Sequence, residues 1–129
     1  MNGRFLLDTN IVIALWANDA AVTQQLSTAT EVFVPIIVLG ELYYGARKSA
    51  WSVRNIARID EFAAYNSILI GDMATAQQYG QTKNMLLAKG RPIPENDIWI
   101  AAIALQHTLI LVTRDVHFSA IDGLLLEKW

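Results

Sequence analysis

The chain has 129 residues, 53% hydrophobic and 17% charged, with a net charge of −2 and no cysteine. That length suits one core and one domain, expected to span residues 1–129, and the composition excludes disorder. The lack of cysteine excludes disulfides, thiol nucleophiles and zinc–thiolate sites, and the mild acidity argues against broad binding to duplex nucleic acid.

Met1-Asn2-Gly3-Arg4 runs straight into a strand pattern with no leader. No stretch approaches the roughly 20 apolar residues that cross a bilayer, so a cytoplasmic protein without a membrane partner is expected. Aliphatic runs predict buried strands at 4–7, 32–34 and 109–113, with weaker candidates at 67–70 and 124–127. Pro35 suits the first turn of a helix reaching about Lys48. Val53, Ile56, Ile59, Phe62 and Ala63 form one helical stripe within 51–65. A long helix over 72–89 stops at Gly90, a residue suited to a helix C-terminus. Pro94-Glu95-Asn96-Asp97 opens another helix, to about Gln106. Strands alternating with helices predict a mainly parallel sheet of four to five strands with helices on both faces.

Four carboxylates interrupt these apolar patterns. Asp8 ends Phe5-Leu6-Leu7, and Glu41 splits Ile36–Gly40 from Leu42-Tyr43-Tyr44. Asp97 precedes Ile98–Ala102, and Asp115 follows Leu109–Arg114. Ionised side chains rarely enter apolar surroundings unless paired or bound to metal. Asp8 and Asp115 both follow strands, and so fall at the carboxyl edge where parallel sheets place their sites. Each acid also has an ordinary explanation. Asp8 suits a helix N-cap, Asp97 complements a helix dipole, and Asp115 suits a turn. Glu41 resists such an account, because the nearest cations, Arg47 and Lys48, lie about two turns away. Gly40 and Gly45 beside it weaken the helix by up to ~1 kcal/mol each, which close approach of a backbone or ligand would justify.

Oxygen-only ligands suit Mg²⁺ or Mn²⁺. Such ions acidify a bound water and stabilise a phosphodiester leaving oxygen, so metal-dependent phosphodiester hydrolysis is the chemistry these four acids suggest. Setting the four acids aside turns the charge balance from −2 to +2. A cation-loaded site would therefore not repel an anionic substrate.

The segments Asp8-Thr9-Asn10, Glu41–Ala46, Pro94–Ala102 and Leu111-Val112-Thr113-Arg114-Asp115, taken in order, resemble the PIN-domain ribonucleases. The likeness is nearest to the VapC-type toxins of bacterial toxin–antitoxin pairs, and it runs to the ending at Trp129. It implies a three-layer α/β/α sandwich and a Mg²⁺- or Mn²⁺-dependent endoribonuclease, neutralised by a cognate antitoxin. It also implies a homodimer, an RNA substrate that is often tRNA, and DNA contacted only through the antitoxin. Asp8, Glu41, Asp97 and Asp115 match the family's acidic positions. Thr9, Asn10 and Thr113 fall where hydroxyl or amide groups orient those acids or their waters. Many members carry Asn at the last position, where this chain has Asp115. His117-Phe118 also follows more closely than in the Asn-bearing pattern.

Arg91, Arg114 and His117 are the candidate RNA contacts, while Arg47, Lys48 and Lys83 read as solvated charges. Packing at a loop end is the commoner role for a histidine such as His117, and His107 suits the end of a helix dipole. A metal-free histidine mechanism needs two converging histidines, and the chain holds only these two. Trp16, Trp51, Trp99 and Trp129 read as core or interface residues. A non-catalytic interaction module within an antitoxin–operator complex is the alternative reading, disfavoured by the presence of all four acids. A haloacid-dehalogenase-type phosphate-transfer enzyme would need a second Asp at the position held by Asn10, and is excluded.

Overall fold

A computed structural model describes residues 3–129. The leaderless opening read at Met1 and Asn2 lies outside the described residues. Five strands, β1 (Arg4–Leu7), β2 (Glu31–Pro35), β3 (Ser67–Leu69), β4 (Ile110–Val112) and β5 (Leu125–Glu127), form one sheet in the order β3-β2-β1-β4-β5. Every neighbouring pair is parallel. The central strand is buried along Phe5-Leu6-Leu7, which explains its unbroken aliphatic run.

Six α-helices supply the crossovers. These are α1 (Thr9–Trp16), α2 (Ala20–Thr28), α3 (Ile36–Lys48), α4 (Ser52–Ala64), α5 (Met73–Ala88) and α6 (Glu95–His107). From β1 the chain steps outward through β2 to β3, then returns across the sheet to β4. Right-handed crossovers therefore put α1–α4 on one face and α5 and α6 on the other, giving three layers. The core joins both faces of the sheet: Ile11, Val12, Val38 and Ile59 from one layer, Leu86, Ile100 and Ile103 from the other. Among the described residues, no helix is long and apolar enough to cross a membrane.

The expected strands and later helices are present, with ends displaced by a residue or two. Gly90 adopts φ +66°, with Gly90 N–H donating to Leu87 O and Arg91 N–H to Leu86 O, the paired closure that favours glycine beyond a helix end. Of helices α1 and α2 the sequence offers only a candidate start, Asp8 as the N-cap of α1. The apolar run Ile11–Trp16 shows no polar face, and α2 buries only Val22. Asp115 leads into a 3₁₀ turn, Val116–Ala120. Trp129 packs edge-on against Phe5, and Trp16 against Phe62, as core positions do. Trp51 is 68% exposed and so is not a core residue.

Candidate active site

The chain reverses its direction of travel between β1 and β4, so a crevice opens beyond their carboxyl ends. Leu7 pairs with Val112, which sets the two strand ends level, and Asp8 N–H donates to Val112 O at 3.0 Å. Asp8 leaves β1 here as the N-cap of α1, with Oδ1 accepting from Thr9 N–H at 2.8 Å. It is therefore both a cap and a member of the site. Asp115 follows β4 in extended conformation and caps nothing with its side chain. Asp97 sits in the first turn of α6, and Glu41 lies midway along α3.

All four acids line one concavity of about 590 Å³, together with Thr9, Asn10, Asn96 and His117. Residues separated by most of the chain are held there by side-chain hydrogen bonds. Thr113 Oγ1 donates to Asp8 Oδ2 at 2.7 Å and accepts from Asp115 N–H at 3.0 Å. Thr9 Oγ1 donates to Glu41 Oε1 at 2.7 Å, joining α1 to α3. Asn10 Nδ2 makes long contacts of 3.4 Å to both Asp8 Oδ2 and Asp115 Oδ2. Its Oδ1 accepts from Arg114 N–H at 3.3 Å. Thr9, Asn10 and Thr113 thus each hydrogen-bond to at least one of the four acids.

Burial and mutual repulsion dominate the electrostatics of the four acids. Asp8 is 3% exposed, and burial pushes its carboxyl up to about 6, outweighing the hydrogen bonds from Thr113 and Thr9; the charges of Asp97 and Asp115 add to the rise. Burial likewise raises Asp97, against the lowering effect of His117. Among the described residues no lysine or arginine pairs with Asp8, Glu41, Asp97 or Asp115. Like-charged carboxylates, two of them raised by burial and none paired with lysine or arginine, are compatible with a hard divalent ion.

Gly40 and Gly45 have a different setting from the expected close approach. A Cβ added at either meets nothing within 4 Å, so no other part of the chain requires glycine there. Both border a second hollow that shares Glu41 and Asn96 with the acidic one.

Two of the three RNA-contact candidates lie outside the acidic concavity. Arg114 Nη2 pairs with Asp19 Oδ2 at 2.9 Å and its Nε donates to Trp129 O at 2.9 Å, so its guanidinium ties the start of α2 to the last residue. Arg91 follows the end of α5 and does not line the concavity. His117 does line it, with Nε2 2.6 Å from Asp97 Oδ2. His107 closes α6 and accepts from Arg4 at its backbone oxygen, so the two histidines do not converge. Lys83, read from sequence as a solvated charge, pairs with Glu95 at 2.5 Å. Neither the Thr9–Glu41 bond nor the Lys83–Glu95 pair had a local sequence signal.

Two substitutions follow directly. Thr113→Val removes the donor to Asp8 and the acceptor for Asp115, and should lower stability by about 1–3 kcal/mol in denaturant unfolding. Thr113→Ser keeps the hydroxyl and should retain most of the stability that Val loses. Equal loss in both variants would show that packing, not the hydrogen bonds, matters at this position. Arg114→Ala should lower stability in denaturant unfolding, since it removes the tie to Asp19 and to the Trp129 carbonyl, though solvent screening weakens the ion pair itself. The salt dependence of RNA binding should stay unchanged, whereas a reduced slope would make Arg114 a phosphate contact.

The PIN domain family model matches residues 5–124 of the chain. The chain is 37% identical to ribonuclease VapC2 of Haemophilus influenzae, over 98% of each chain. It is 35% identical to the tRNA(fMet)-specific endonuclease VapC of Shigella flexneri, again over 98% of each. The crystal structure of DNA-bound VapBC from Salmonella typhimurium superposes with a TM-score of 0.92 at 30% identity, covering 99% of both chains. The family match over residues 5–124 and the full-length identity to these relatives place the chain in the PIN-domain family, among the VapC ribonucleases.

Proposed function

We propose that this chain, acting as one domain, is the toxin of a toxin–antitoxin pair: a Mg²⁺- or Mn²⁺-dependent endoribonuclease. One observation carries the reading. Four carboxylates from distant segments line a single concavity, none of them paired with lysine or arginine among the described residues, and burial pushes one of them up to about 6.

Asp8, Glu41, Asp97 and Asp115 are the residues that would hold the metal. When bound, the ion supplies a water acidified toward neutral pH and positive charge for the phosphodiester's leaving oxygen. Asp8 is the most tightly positioned acid, fixed by Thr113 Oγ1 on one oxygen and Thr9 N–H on the other. Thr9 sets the Glu41 carboxylate, and Asn10 bridges toward Asp115. The exposed carboxylate of Asp115 stands nearest solvent, where a substrate phosphate and its attacking water would enter.

The relatives support the substrate and the partner. The Shigella flexneri protein is named for tRNA(fMet), which makes tRNA the substrate class to try first. The Salmonella typhimurium structure is a VapBC complex on DNA. A cognate antitoxin that neutralises this chain and mediates any DNA contact is therefore part of the proposal, as are a homodimer and the cytoplasm. The test is incubation of purified, partner-free chain with tRNA and with a mixed RNA pool. Cleavage in Mg²⁺ or Mn²⁺ is the expected result. Folded protein that cleaves neither would favour the alternative, a binding module within the antitoxin complex.

A further inference from the structure

We infer that His117 is itself a metal ligand, forming with Asp97 and Asp115 a mixed nitrogen–oxygen subsite that favours Mn²⁺ over Mg²⁺. This rests on the metal-dependent reading above, and it changes the donor set from the oxygen-only cluster suggested by the four acids.

One ligand atom from each of Asp97, Asp115 and His117 lies within 4.8 Å of the others, which is about the span of a single coordination sphere. His117 Nε2 and Asp97 Oδ2 are 2.6 Å apart. Adjacent ligands around a small divalent ion stand roughly 2.9 Å apart, so a shift of a few tenths of an ångström would let both bind one ion. The backbone holds the two contributors close: Asp115 immediately precedes the 3₁₀ turn, and His117 is its second residue. Phe118, fully buried, anchors that turn, and the imidazole lies tilted against it with ring centroids 4.8 Å apart.

The position of the ring decides between ligation and mere orientation of Asp97. An imidazole that only oriented the carboxylate would back it from the protein side. His117 instead lines the concavity with the four acids, and its side chain remains 35% exposed. A nitrogen donor adds little for Mg²⁺, which prefers oxygen ligands and retained waters, and more for transition ions such as Mn²⁺.

Affinity alone does not separate the two roles, because losing an orienting partner also weakens metal binding by roughly 10–100-fold. Pulsed EPR of the full chain loaded with Mn²⁺ does separate them. Imidazole ¹⁴N coupling is expected in the wild type and absent in His117→Gln. His107 cannot supply it, since it lies ten residues along α6 from Asp97, about 15 Å away. In parallel titrations, His117→Gln should weaken Mn²⁺ binding roughly tenfold and Mg²⁺ binding by less, narrowing the ratio between them. Bound Mn²⁺ that is lost in Asp97→Asn yet shows no ¹⁴N coupling in the wild type overturns the inference and leaves the metal-dependent ribonuclease standing. A wild type that binds neither ion overturns both.

Discussion

Asp8→Asn is expected to abolish RNA cleavage and, at the same time, to make the metal-free chain more stable at neutral pH. On the metal-dependent reading proposed above, removal of this carboxylate should lower cleavage by roughly 100-fold or more, because both the charge balance and the placement of the ion would depend on it. The stability change has the opposite sign because the buried carboxyl is pushed up to about 6 from an ordinary value of 3.8. A folded-state pKa above the unfolded one means that the group's stabilising contribution is fully present below about pH 4. It is lost as pH rises through 6. The shift corresponds to about 3 kcal/mol, or roughly 10 °C in melting temperature for a chain of this size. Asparagine keeps the cap on Thr9 N–H, and the Thr113 hydroxyl can turn to accept from the new amide. Melting in chelator should therefore favour Asp8→Asn at pH 7.5, with the advantage shrinking toward zero at pH 4. A variant no more stable than wild type at any pH in that range would show that the wild-type carboxylate carries no such strain.

Divalent ions should reverse that imbalance. With Mg²⁺ or Mn²⁺ at a hundredfold over its dissociation constant, the wild type should gain about 2.7 kcal/mol. The gain should be larger at pH 7.5 than at pH 5, since Asp8 and Asp97, both with raised pKa, must lose their protons to bind. Excess chelator should remove both the gain and the cleavage, and returned metal should restore both. The stabilisation should be small in Asp8→Asn and in Asp97→Asn. Cleavage that persists in excess chelator would end the metal-dependent reading, whatever the melting curves show.

The two effects share one physical origin. Carboxylates gathered in a desolvated crevice without lysine or arginine partners are a burden on the metal-free fold. The same arrangement is what a divalent ion requires. Asp97 is relieved in part by His117, whereas Asp8 has neutral partners, Thr113, Thr9 and, at 3.4 Å, Asn10. That difference makes Asp8 the position where activity and stability should separate most clearly.

The sequence alone determined the sheet and the four acids. A parallel strand buried on both faces must be a short aliphatic run, so β1, β2 and β4 stand out locally, and an acid ending such a run is conspicuous for the same reason. Helices α1 and α2 lacked that contrast, one lying in an unbroken apolar run and the other burying a single side chain. Only the tertiary structure decided the partnerships. Thr9 meets Glu41 across 32 positions and Thr113 meets Asp8 across 105, distances over which no local periodicity reports a contact. It also reassigned two residues. Arg114, next to an acid in sequence, turns away to Asp19 and Trp129, while His117, which reads most readily as a loop-end residue, stands against Asp97 within the site. A backbone position is set by local pattern, but where a long side chain ends is set by what the fold brings within its reach.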